Sequence, residues 1–288
     1  MRAALISILF FSLQACGSVH PGEPDADSPI DAADDAVLHA DAANQDAAPP
    51  PPAVWQNPEI VTAVNGNIAD LMPSLTADGL QMFFVRHPDG VFDPTPPKLF
   101  VSSRTSLSAA WSTPVEIARG EGVTDPDTLD GLEVYGTKGT SVVRMARASR
   151  DAPWSEPTAQ FSGRQPSLTD DGLTIYYFVT SGTQVRHRNT TGSAWGPEAA
   201  VTITYLKYLS VSVEPDEKAA ALSDPALDGL PEVSIVTRLD GGAWSDPVAV
   251  PTLMEGIESC ELATPNELYC AIRVGNGATT DIVRVVRE

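Results

Sequence analysis

Five carboxylates, Asp70, Asp125, Asp127, Glu255 and Glu258, stand where the chain enters short β-rich runs. Paired carboxyls can hydrolyse a glycosidic bond. One protonates the leaving oxygen and the other attacks or activates water, with the two about 5–9 Å apart. Asp70, Asp125 and Glu258 are the set that could converge. Arg164 and Lys207 occupy the equivalent places in two further runs and break the acidic pattern, which favours charges solvated in loops. Other chemistries find no residues. His20 and His39 lie in an Ala/Asp-rich stretch, and His87 and His187 have no Cys or His at ligand spacing, so neither a metal nor another cofactor is expected. The chain holds no Gly-x-Ser-x-Gly elbow and no phosphate loop. Its net charge of −20 disfavours nucleic acid, whose binding needs clustered Lys and Arg.

The elements that would position such carboxylates are announced by a repeat. All five tryptophans open one short motif: Trp55-Gln56-Asn57-Pro58, Trp111-Ser112-Thr113-Pro114, Trp154-Ser155-Glu156-Pro157, Trp195-Gly196-Pro197 and Trp244-Ser245-Asp246-Pro247. A second motif runs in phase with it. Pro73-Ser74-Leu75-Thr76-Ala77-Asp78-Gly79-Leu80 returns as Pro166-Ser167-Leu168-Thr169-Asp170-Asp171-Gly172-Leu173, with degenerate copies at 127–132 and 212–217. Asp-Gly between apolar runs is a strong hairpin signal. Asp78, Asp130 and Asp171 are therefore read as turn-formers rather than site residues, and the recurring Trp as blade packing rather than a stacking platform.

A period of about 40–50 residues with short strands predicts a β-propeller. Blade one is expected at 72–76, 80–86, 98–104 and 111–118, with further blades near 123–161, 164–203 and 207–250. The last blade has three strands, 257–264, 267–274 and 281–286. The stretch 55–62 precedes any inner strand of its own and would complete that blade. The expected fold is all-β, a five-bladed propeller closed by its N-terminal strand. These motifs resemble the PD40 (WD40-like) repeats of TolB-type β-propellers, in the lipoprotein versions found in myxobacteria. The resemblance covers about residues 54–288 and implies binding of envelope partners without catalysis. The chain departs from TolB in lacking its separate N-terminal domain, so that particular partnership is not implied.

The remaining segments read as export and tethering. Arg2 and the apolar stretch 3–13 form a signal peptide ending in Leu13-Gln14-Ala15-Cys16, which looks like a bacterial lipobox. Domain bounds are thus 1–15 signal, 16–53 tether and 54–288 propeller. The resemblance to a lipobox implies acylation of Cys16, a membrane anchor and an outer-membrane location. Residues 17–53 carry eight carboxylates, neither Lys nor Arg, and the run Pro49–Pro52. Such a segment is expected to stay disordered and extended, as a spacer. Its Asp spacing does not fit a calcium-binding EF-hand loop. Cys260 and Cys270 flank a turn-like segment and would face one another in a hairpin. They are read as a disulfide, with two buried thiols as the alternative.

Function is expected to reside in the loops. The insertions 87–97 and 224–231 carry His87, Asp89, Asp93 and Asp228, which together with Arg164 are candidates for ligand recognition. The expected role is a non-catalytic envelope-anchored propeller that binds or scaffolds a protein or glycan. The alternative is a glycosidase-like enzyme with carboxylates near the axis, and a third reading is a purely structural envelope protein. A binding propeller predicts a concave face without perturbed acids. The enzyme requires at least two carboxylates in one pocket, and the structural reading predicts a face without pockets.

Overall fold

Short runs separated by Asp-Gly and Pro-containing turns fold into twenty strands of two to eight residues and, among the described residues, no helix. The computed structural model describes residues 54–66, 69–88, 95–169, 171–201, 210–213, 219–223, 233–239, 244–251, 256–264, 266–274 and 279–288. The strands form five antiparallel four-stranded sheets, the blades of a five-bladed β-propeller. Blade one is Ala69–Leu75, Gln81–His87, Lys98–Ser103 and Val115–Glu116. Blade two is Thr124–Asp127, Glu133–Lys138, Ser141–Ala146 and Thr158–Ser162. Blade three is Arg164–Leu168, Thr174–Val179, Gly182–His187 and Ala199–Ala200. Blade four is Ser210–Val213, Ala219–Ser223, Val233–Thr237 and Val248–Ala249. Blade five is Ile257–Thr264, Glu267–Val274 and Thr279–Val286, and its outer strand is Glu59–Ile60 from the other end of the domain.

That closure is held by backbone and side chains together. Glu59 and Ile60 pair with Arg284 and Val283, Trp55 bridges to Arg287, and Val54 and Glu288 exchange backbone hydrogen bonds. The first two strands of the last blade have the expected bounds, and the third starts two residues earlier than expected, at Thr279. The outer strands are shorter than expected, because the Pro of each Trp motif has no N–H to give to a ladder. Trp111 accordingly lies outside the two-residue strand Val115–Glu116.

Five apolar clusters join each blade to the next around the ring. The tryptophan of one blade packs in each case against the blade before it. Trp154 meets Phe83 edge-on at 5.8 Å, and Trp195 meets Tyr135 at 5.8 Å. An arginine covers the ring in every blade: Arg104 on Trp111, Arg147 on Trp154, Arg188 on Trp195, Arg238 on Trp244 and Arg287 on Trp55, at 4.4 to 6.0 Å. In the first three blades the Arg Nε also donates to the carbonyl of the Asp-Gly turn, at Gly79, Gly131 and Gly172. Turn, arginine and tryptophan are therefore one repeated unit. Each stack contributes about 0.5–2 kcal/mol.

The Asp residues of the turns close them. Asp78, Asp130 and Asp171 accept the N–H two residues on, from Leu80, Leu132 and Leu173, at 2.7–2.9 Å. Cys260 and Cys270 are cross-strand partners in blade five and form a disulfide.

Candidate active site at the propeller axis

Three blades enter the centre of the ring through the same local device. Met72, Asp125 and Gln165 each precede a proline and hold φ of 54°, 48° and 52°, and they are the non-glycine residues of positive φ among the described residues. The register breaks at each of them, between Leu71 and Ser74, Thr124 and Asp127, and Arg164 and Ser167. A left-handed backbone costs an L-residue about 1–2 kcal/mol, and such strain clusters where a site must be shaped. Neighbouring blades hold it in place. The Met72 N–H donates to Ser259 Oγ at 3.0 Å, that of Asp125 to Met72 Sδ at 3.2 Å, and that of Gln165 to Thr137 Oγ1 at 2.9 Å.

The result is a cavity of about 40 Å³ lined by Met72, Asp125, Gln165, Ser259 and Glu261 among others. Two acidic residues thus line one axial pocket, Asp125 from blade two and Glu261 from blade five. Its volume suits a water molecule and no sugar ring. Burial pushes the Asp125 carboxyl above the ordinary carboxylate range, against the Thr137 and Thr124 hydroxyls and the charge of Arg164. Behind it, Asp127 ties three blades together. It accepts the Leu168 N–H and, at 3.3 Å, the Ser74 hydroxyl, and burial pushes its carboxyl up to about 6.

The other expected carboxylates go elsewhere. Asp70 is fully buried but pairs with Arg86 at 2.6 Å and accepts the Gly66 N–H at 2.7 Å, anchoring the N-terminal segment to blade one. Burial still raises its carboxyl, against Arg86 and the Gly66 N–H. Glu258 pairs with Arg273 across blade five. Of Asp70, Asp125 and Glu258, Asp125 alone lines the axial cavity. Arg164 is exposed at the start of the inner strand of blade three, close enough for its charge to act on Asp125. His87 ends the second strand of blade one. Cys16, Asp89, Asp93, Asp228 and Glu255 lie outside the described residues. Glu261 was not among the expected residues. Its signal was a second acid on the inner strand that carries Glu258, beside Cys260.

No protein-family model matches this chain, and no curated protein sequence matches it. Solved structures do share its fold. The GH43_1 enzyme of Xanthomonas citri in complex with xylotriose is 12% identical, with a TM-score of 0.53, over 80% of this chain and 89% of that one. The same enzyme with xylose gives 11% and 0.50 over the same shares. TolB from Acinetobacter baumannii is 16% identical, covering 78% of this chain and 56% of that one, with a TM-score of 0.45. At these identities the likeness shows the fold, a five-bladed propeller. The expectation of a non-catalytic binding or scaffolding propeller is corrected here. Structures of a GH43_1 enzyme share the fold, and the axial cavity is lined by two acidic residues, one of them with a raised carboxyl, where a binding face called for none.

Proposed function

We propose that this chain is a carbohydrate-active propeller that hydrolyses a glycosidic bond laid across the mouth of its axial cavity. The observation that carries the reading is the placement of Asp125 and Glu261, from different blades, in one pocket. Asp125, whose hold on its proton burial strengthens, is the acid that gives its proton to the leaving oxygen. Glu261 is the base that activates a water, for which the cavity has room. The sugar rings rest outside the cavity, on the loop face. Export as a lipoprotein acylated at Cys16 belongs to the same proposal and would present the domain to glycans of the envelope or its surroundings.

The test is release of reducing ends from xylo- and arabino-oligosaccharides by the full chain. Asp125→Asn and Glu261→Gln are each expected to slow turnover by about 100-fold or more, as loss of a general acid or base does. Turnover that survives both substitutions in folded protein, or no turnover of any oligosaccharide, overturns the reading.

A further inference from the structure

A larger cleft lies between the first and second blades, away from the axis. It encloses about 590 Å³ and is lined by Arg104, Arg119, Arg147 and Arg150, against the carboxylates Glu116 and Asp151. A positive excess is conspicuous in a chain of net charge −20. Three of these charges already have partners outside the cleft lining: Glu116 holds Lys98 at 3.0 Å, Arg119 meets Glu156 at 3.3 Å, and Arg150 meets Asp78 at 2.6 Å, which leaves Arg104 and Arg147.

The repeat supplies an internal control. In the cleft between blades two and three, Arg188 donates to Tyr135 Oη at 3.0 Å and lies 4.0 Å from a Glu133 oxygen. That cleft measures about 100 Å³. One blade earlier, register places Gln81 where Glu133 stands and Phe83 where Tyr135 stands. Arg147 therefore donates only to neutral acceptors: Gly131 O at 2.7 Å, Arg150 O at 2.5 Å and Gln81 Oε1 at 2.9 Å. Arg104 likewise donates to the carbonyls of Gly79 and Leu107. Among the described residues neither arginine has a carboxylate within 4.0 Å, and each keeps N–H groups beyond these bonds. Burial and the charge of Arg150 lower the proton affinity of Arg147, against the charges of Asp151 and Asp130.

We propose that the cleft between the first two blades is a binding site for an oxyanion, a carboxylate or sulfate, received by Arg104 and Arg147, with Arg150, which Asp78 already holds, adding charge at the rim. A planar oxyanion accepts from guanidinium groups in paired geometry, and Leu80, Val115 and Trp154 give the cleft apolar walls suited to a saccharide that carries it. The site does not depend on the axial reading.

Calorimetric titration of the full chain with inorganic sulfate and with trigalacturonate tests it, galactose serving as the neutral control. Binding that weakens with added salt is expected for at least one anion. Tighter trigalacturonate assigns a saccharide-borne anion, and equal or tighter sulfate assigns a free one. Gln81→Glu places in this cleft the carboxylate that the next cleft already tolerates, so it should fold and weaken binding about tenfold or more. Arg150→Gln, at an exposed position, should weaken it in the same direction and serves if Gln81→Glu does not fold. Absence of binding by both anions, or binding that these substitutions leave unchanged, overturns the proposal. The readout is heat of binding without turnover, so this result and that of the hydrolysis assay stand apart.

Discussion

Replacing Asp127 by Asn removes one buried carboxyl from the junction of the first three blades while keeping its shape. The Asn oxygen can still accept the Leu168 N–H and its amide can donate to Ser74 Oγ, while the Thr128 N–H is the third donor at the Asp127 carboxyl. What disappears is a titration. Burial raises the Asp127 carboxyl from 3.8 to about 6 in the folded chain. Below 3.8 both folded and unfolded chains hold the proton, and stability does not depend on it. Between 3.8 and 6 the folded chain holds a proton that the unfolded chain has released, so stability falls as pH rises. Above 6 both are ionised and the full penalty is present. The interval of about two pH units between those values corresponds to about 3 kcal/mol. Asp70, Asp125 and Asp281 are also raised and are present in both proteins, so the difference reports the loss of the Asp127 titration together with its effect on its neighbours. Denaturant melts of wild type and Asp127→Asn at a series of pH values, followed by tryptophan fluorescence, give that difference directly. The variant should gain about 3 kcal/mol on the wild type between pH 3.5 and 7, or about 6–12 °C in Tm for a domain of this size. A difference flat across that range, or one that moves toward the wild type as pH rises, refutes the assignment of a raised carboxyl at Asp127.

Two further outcomes concern the ring. Arg188 donates to Gly172 O and Tyr135 Oη and covers Trp195 at 4.4 Å, so Arg188→Lys should lose about 2–4 kcal/mol in urea melts, since an ammonium cannot reproduce the planar fork; a loss under about 0.5 kcal/mol counts against the repeated staple. Trp55→Ala should cost about 3–5 kcal/mol, because Trp55 sits in the cluster joining blades four and five and bridges to Arg287; near-neutral behaviour would mean that closure by the N-terminal strand contributes little.

Much of this ring was legible in the residues because its signals are local. The Asp-Gly turns and Trp motifs mark hairpins and outer edges without knowledge of any distant contact, and the orphan Trp55 motif already implied closure on the last blade. Cys260 and Cys270 were readable for the same reason, since a short hairpin sets its own register. The arginine of each staple was equally available, seven residues before Trp111, Trp154 and Trp195, but its meaning depends on the turn carbonyl that it meets in space. The site was harder to read. A residue before proline ordinarily takes an extended backbone, so nothing local announced the left-handed turns at Met72, Asp125 and Gln165 that bring Asp125 to the axis. Asp70 looked identical to Asp125 until register set it opposite Arg86, which turned a candidate acid into an anchor. Glu258 and Glu261 lie three residues apart on one strand, so alternation separates them, but which of the two faces the cavity and which meets Arg273 depends on the blade's place in the ring.

The most direct measurement is a crystal structure of the full chain with Glu261→Gln, which should bind without cleaving, soaked with xylotriose and, separately, with an arabino-oligosaccharide. The account predicts a saccharide across the axial mouth with a glycosidic oxygen within hydrogen-bond reach of the Asp125 carboxyl. A saccharide ordered only elsewhere, or an axis left bare at concentrations that saturate binding in solution, contradicts it.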